Sequence, residues 1–321
     1  MSQLLNRLEK FGNDLGIKPV DLMPTGFVGL DCLLNGGFRW GQAYEISGEV
    51  STGKTSLIYS LLGAVQKVGH AVAFCDLERA YDGHYASNSL SIGELLVFND
   101  LSKNTLSIID RWLSDSTNEK LVVAIDSLGA IPTAERADEM FKAFLPKLQN
   151  RQIILLCTNQ VRDNFIKYGQ VRSYLNKKCD ELFAARIRLS GKHRGHKRYQ
   201  ITYAEAIMSK YPTVASKTVL AYDTLSFDRI VSLVCDSVAL NVIEKIPNHY
   251  LYEELNFNTF DDVINYFSSH AGRADVLINK VVLAYNRGET YGRVGEVEGT
   301  CSDESDLWRG DGDNGDDGLI G

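Results

Sequence analysis

The sequence predicts an α/β protein with a mostly parallel central sheet flanked by helices. Three observations carry this. Short apolar runs fit for buried strands alternate with stretches of helical periodicity from Gly26 to Leu148. One run ends in GEVSTGKT at residues 48–55, a glycine-rich loop that opens a helix. Two more runs end in carboxylates, one in Asp76 with Glu78 just beyond it, the other in Asp126.

In chain order, residues 1–22 place Leu4, Leu5, Leu8, Phe11 and Leu15 at helical spacing ahead of Pro19. That pattern predicts an amphipathic helix that packs on this chain or joins it to a neighbour as an oligomerisation segment. Residues 23–226 form the expected core. Its strands are read at 43–47, 71–76, 95–98, 120–126 and 152–158, with helices around 56–68, 106–113 and 138–148. Between 185 and 225 the pattern shifts to short alternating runs at 187–189, 200–203 and 218–222 with basic loops, which predicts added antiparallel strands. Helical patterns dominate residues 227–288, a small C-terminal α/β domain. Residues 289–321 carry ten acidic residues against Arg293 and Arg309. So polar a segment cannot offset its ordering entropy and is expected to be a disordered acidic tail.

That tail carries a charge of −8 against −7 for the whole chain, so the body is close to neutral. A hydrophobic content of 44% with 23% charged residues is ordinary for a globular protein. No apolar run reaches the length of a membrane span, and MSQLLNRLEKFG lacks the apolar core of a signal peptide; a cytoplasmic location is expected. Six cysteines, at 32, 75, 157, 179, 235 and 301, include no C-x-x-C pair and read as reduced thiols. His193 and His196 stand in a basic stretch that reads as a solvated loop rather than a metal site.

The loop is where chemistry concentrates. Gly48 and Gly53 let backbone N–H groups approach a phosphate chain, so Gly48, Glu49, Val50, Ser51, Thr52, Gly53, Lys54, Thr55 and Ser56 are expected to surround it. Lys54 would neutralise the β and γ phosphates, and Thr55 would turn its hydroxyl to Mg²⁺. Asp126, at the end of LVVAID, is the expected second metal ligand. Glu78, just past the run AVAFCD, is the expected base for an attacking water, with Asp76 as its rival. A third run, IILLCT, ends in Asn159 and Gln160, whose amides could bond the terminal phosphate and shift when it leaves. ATP and Mg²⁺ are thus the expected cofactors, with Glu78, Lys54 and Gln160 as the catalytic set.

These residues resemble the RecA recombinase family. Pro24, Thr25 and Gly26 with Leu30–Asp31, Gly36–Gly37, Gly41 and Glu45–Ile46 are similar to that family's approach to its phosphate loop. The run from Asp76 to Tyr85, DLERAYDGHY, is similar to its catalytic-glutamate segment, and Asp126–Ser127 and Asn159–Gln160–Val–Arg162 match its later motifs. The resemblance implies a RecA-like ATPase core, Glu78 as water activator, and Asp82 and Tyr85 at the adenine, Tyr85 by stacking. It also implies ATP held between subunits, with a lysine reaching across from the next one. Lys210 is the candidate by its place before Pro212, Lys217 the fallback, and Phe183 is expected at the same interface.

Two departures fall on the DNA side. The family's Gly-Gly pair is replaced by the glycine-free stretch 176–183, and the first DNA loop shrinks to about Pro132–Glu139, with Arg136 inside it. Between Gln160 and Lys178, however, Arg162, Lys167, Arg172, Lys177 and Lys178 interleave with Phe165, Tyr168 and Tyr174. Cations for phosphates beside rings for unstacked bases make a single-strand groove. The resemblance therefore implies an ATP-dependent recombinase, a DNA-dependent ATPase that forms helical filaments on single-stranded DNA and pairs it with duplex in recombination and repair. Its partners would be both DNA forms, further copies of itself, and single-strand-binding or loader proteins reached through the acidic tail. A recombinase paralogue or mediator that loads other proteins, and a hexameric DNA motor, stay open as alternatives.

Overall fold

The computed structural model describes residues 21–100, 120–131, 133–149, 153–160, 182–193 and 198–288, with a few positions between 102 and 111. The expected N-terminal helix and acidic tail therefore lie outside the described residues, as do Cys179 and Cys301. A two-stranded ribbon, β1 (Leu22–Met23) and β2 (Phe38–Arg39), encloses helix α1 (Val28–Leu33) and leads into β3 (Ala43–Gly48). Then follow α2 (Lys54–Lys67), β4 (Ala71–Asp76), α3 (Gly83–Ala86), β5 (Leu95–Phe98), β6 (Leu121–Asp126), α4 (Ala134–Gln149), β7 (Ile153–Gln160) and β8 (Phe183–His193). β9 (Gln200–Ser209), β10 (Lys217–Tyr222) and β11 (Phe227–Asp228) complete a nine-stranded sheet in the order 11-10-9-8-3-7-6-4-5. Strands 8-3-7-6-4-5 run parallel, and β9 to β11 add antiparallel at one side.

The strand runs read as continuously apolar because both faces are covered. On one face Val72, Phe74, Val122, Ala124, Ile154 and Leu156 pack with Leu57, Leu61 and Leu62 of α2. On the other, Ala73, Cys75, Val123, Ile125, Leu155 and Cys157 pack with Met140, Phe141 and Phe144 of α4. Cys32, Cys75, Cys157 and Cys235 are buried thiols. Among the described residues no group of His, Cys, Asp and Glu could hold a metal ion by itself.

Helix α4 begins at Ala134, earlier than the helical pattern around 138–148 suggests. Residues 134–139, expected in a loop with Arg136, are its first turns. Phe183, expected at a subunit interface, is fully buried within the chain, edge-on to Phe141 at 6.0 Å.

After β11 comes α5 (Arg229–Ala239), then an antiparallel meander β12 (Glu244–Ile246), β13 (His249–Tyr252) and β14 (Leu255–Phe257), then α6 (Phe260–Ser269) and α7 (Ala271–Asn286). The helices were expected; strands of three or four residues give too few alternations to read. Helix α5 also finishes the sheet edge. Asp236 and Ser232, one helical turn apart, accept the backbone N–H groups of Val219 and Ala221, two residues apart on β10, each at 2.9 Å. Donors that would stand open on a sheet edge are thereby closed.

Candidate nucleotide site

β3 delivers the loop to the N-terminus of α2. Gly53 sits there at φ +87°, a conformation that strains any residue with a Cβ, and leaves the first N–H groups of α2 without a side-chain cap. A Cβ on Gly48 would stand 2.7 Å from both the Leu189 carbonyl and Thr52 Oγ1. Backbone donors at a helix N-terminus with no competing cap form an anion site. The cleft above the loop has a volume of about 320 Å³. Residues 50–56 line it together with Glu78, Asp126, Gln160, Gln200, Thr202, Tyr222 and Phe227.

Lys54 Nζ donates to the carbonyls of Gly48 (3.1 Å) and Glu49 (2.6 Å), folded onto its own loop. Burial lowers its pKa, and the charges of Asp126 and Glu78 oppose that shift. Thr55 Oγ1 donates to Asp126 Oδ2 at 2.6 Å, and Thr158 donates to Oδ1 of the same carboxylate. Burial raises the pKa of Asp126, and those two hydroxyls pull it back. Leu77 and Glu78 donate their backbone N–H groups to the Asp126 carbonyl at 2.8 and 3.3 Å, which holds the exit of β4 against the end of β6. Glu78 enters the cleft, with Ser127 Oγ donating to Oε1. Its rival Asp76 is engaged elsewhere: its two oxygens accept the backbone N–H groups of Ala80 (3.0 Å) and Tyr81 (2.8 Å). Gln160 also lines the cleft.

The remaining residues singled out in the sequence fall outside the cleft lining. Asp82 caps α3, accepting from His84 N (2.8 Å) and Tyr85 N (3.1 Å). Tyr85 reaches the rim by its hydroxyl, 2.6 Å from Ser56 Oγ and 2.7 Å from Tyr222 Oη. Lys210 donates its backbone N–H to Ala184 near the start of β3, roughly 16 Å along the sheet from Gly48. Lys217 lies with its ammonium 4.1 Å from the Tyr203 ring. Residues 162, 165, 167, 168, 172, 174, 177 and 178 lie outside the described residues, as does the side chain of Arg136.

Four lining residues belong to no motif. Gln200 and Thr202 of β9, Tyr222 of β10 and Phe227 of β11 form the wall opposite Glu78 and Asp126. Gln200 and Tyr222 are direct cross-strand partners. Their only signal is strand alternation: Gln200, Thr202 and Tyr222 share the face that carries α2.

The donor set suits a nucleoside triphosphate with Mg²⁺: a loop that only glycine permits at Gly48, a cation at Lys54, and a hydroxyl–carboxylate pair at Thr55 and Asp126. A glycine loop joining a parallel strand to a helix, with an acid ending a neighbouring strand, defines a P-loop nucleotide-binding protein. Within that class the chain belongs to the RecA family, and the model of the RecA N-terminal domain matches residues 6–165. It is 28% identical over 263 residues to Protein RecA of Thermus aquaticus, covering 73% of this chain and 76% of that one. It is 37% identical over 146 residues to Protein RecA of Bordetella avium, covering 44% of this chain and 40% of the relative. With Protein RecA of Crocosphaera subtropica it shares 34% identity over 184 residues, 54% of this chain and 52% of the other. The matched region thus spans about half or less of these last two relatives. Among the described residues no helix is long and apolar enough to cross a membrane.

Proposed function

We propose that the protein is an ATP-dependent recombinase that assembles on single-stranded DNA and pairs it with duplex, hydrolysing ATP as it does so. The observation that carries the reading is the convergence of Lys54, Thr55, Glu78, Asp126 and Gln160 on one cleft. Thr55 and Asp126 would hold Mg²⁺, which when bound offsets phosphate charge. Lys54 exchanges its two loop carbonyls for phosphate oxygens. Glu78, oriented by Ser127, accepts a hydrogen bond from a water and takes its proton. Gln160, at the end of β7, bonds the terminal phosphate and ties nucleotide state to the basic, aromatic stretch that follows in sequence. Lys210, far from its own loop, would serve a neighbouring copy, in keeping with ATP held between subunits. Assembly is thus a filament of copies, with single-strand-binding or loader proteins as candidate partners of the acidic tail.

DNA-stimulated ATP turnover with filament imaging tests the reading. Wild type should hydrolyse ATP faster with single-stranded DNA, and Lys54→Ala should abolish turnover; DNA pairing that persists without nucleotide overturns it. One observation favours a second reading, a paralogue that loads other recombinases: only residues 127–133 join β6 to α4, which leaves little chain for a first DNA loop. Strand exchange by the purified protein separates the two.

A further inference from the structure

Glu45 is a fully buried carboxylate in the middle of β3, the strand that delivers the phosphate loop. Nothing in the proposed chemistry uses it. A buried charge persists only when paired and hydrogen-bonded, and Glu45 is both. Asn159 Nδ2 donates to Oε1 at 2.7 Å, and Arg186 Nε donates to Oε2. The three residues come from three adjacent strands, with β3 paired to β7 on one side and to β8 on the other.

The register explains why this matters to the cleft. Gln160 pairs with Gly48 and Asn159 with Ser47, so the last two residues of β7 point to opposite faces of the sheet. Gln160 enters the cleft on the face of α2. Asn159 passes to the face of α4, where Glu45 holds it. A backbone rotation at the strand end that turns Gln160 toward or away from a ligand rotates Asn159 with it. Glu45 also grips β8 through Arg186, opposite it in register.

We propose that Glu45 is a positioning residue for Gln160. It holds Asn159 from the far side of the sheet, fixes the setting of the β7 end in which Gln160 meets the terminal phosphate, and shares that setting with β8 through Arg186. The inference rests on the nucleotide reading above and names how the γ-phosphate contact is set.

Affinities of the full chain for a non-hydrolysable ATP analogue and for ADP, both with Mg²⁺, test it. Asn159→Ala and Gln160→Ala should each narrow the preference for the triphosphate about fivefold, the size of one hydrogen bond. Their combination should narrow it no further, because both act through the same contact. Glu45→Leu with Arg186→Leu replaces the buried pair by apolar groups, a swap that cores often tolerate, and should narrow the preference as Asn159→Ala does. An unchanged preference in folded Asn159→Ala overturns the proposal, as do losses that multiply in the double variant. If the leucine pair unfolds, the Asn159–Gln160 cycle decides. Binding that Lys54→Ala leaves intact overturns the nucleotide reading and this one with it; Lys54-dependent binding with no Asn159 effect overturns this one alone.

Discussion

Thr55 Oγ1 donates to Asp126 Oδ2 across 2.6 Å, joining the first turn of α2 to the end of β6. With Thr158 on the other oxygen, both oxygens of a buried carboxylate are held in place before any ligand arrives. Such pre-aimed ligands bind a hard cation without first ordering themselves. Asp126→Asn keeps the shape but removes the charge. Mg²⁺-dependent ATP binding should weaken about 10- to 100-fold, while binding without Mg²⁺ changes little. Titration with a fluorescent ATP analogue, with and without Mg²⁺, checks this.

Glu78 and Asp76 lie two residues apart in sequence and do different work. Glu78 lines the cleft, whereas Asp76 holds the backbone of Ala80 and Tyr81. Glu78→Gln should bind ATP at near wild-type affinity and lose about 10²–10⁴-fold in turnover. Asp76→Ala leaves two backbone donors unpaired and should cost about 1–3 kcal/mol of stability, with turnover by the folded fraction largely kept. Single-turnover hydrolysis beside urea unfolding separates the effects. The opposite assignment would make Asp76 the base.

The motif half of the cleft was legible because each residue ends or closely follows an apolar run: Asp126 after LVVAI, Glu78 after AVAFCDL, Gln160 after IILLCTN. A parallel strand buried on both faces shows itself as such a run, and its carboxyl end is where ligands gather. The opposite wall was not legible. Gln200, Thr202 and Tyr222 enter the cleft through antiparallel pairing, and a register between β9 and β10 leaves no local trace. The same holds for Glu45, whose side chain is read as part of an approach to the loop until its partners on β7 and β8 are known. Tyr85, expected against adenine, also links Ser56 to Tyr222 through its hydroxyl, a long-range contact that sequence spacing cannot encode.

Asp31 makes stability depend on pH. Burial pushes its carboxyl up to about 7, although it accepts the Thr25 N–H at 2.7 Å and the Arg229 charge opposes the shift. The folded chain therefore binds a proton that the unfolded chain releases near the ordinary carboxylate value. Stability from this group is present at low pH and declines as pH rises from about 4 to about 7. Asp31→Asn keeps an acceptor for Thr25 without the charge. It should equal wild type near pH 4 and be more stable by up to about 4 kcal/mol at pH 8. Urea unfolding at the two pH values is the measurement; a wild type that gains on the variant as pH rises would reverse the sign.

Tyr222 offers the cleft its ring, while its hydroxyl, 2.7 Å from that of Tyr85, is the last link of a chain from Ser56. The two roles are separable. Tyr222→Phe keeps the ring and drops one hydrogen bond at the rim, so nucleotide affinity should fall no more than about fivefold. Tyr222→Ala removes the ring and should cost about tenfold or more if a base lies against it, since stacking of a base on an aromatic ring is worth about 1–3 kcal/mol. Tyr85→Phe removes the middle link, its bonds to both Ser56 and Tyr222, but keeps every ring that lines the cleft, and should resemble Tyr222→Phe rather than Tyr222→Ala. Affinities for ATP and for inorganic triphosphate complete the test. Tyr222→Ala should weaken only the ligand that carries a base, and an equal loss for both would move the base away from this wall.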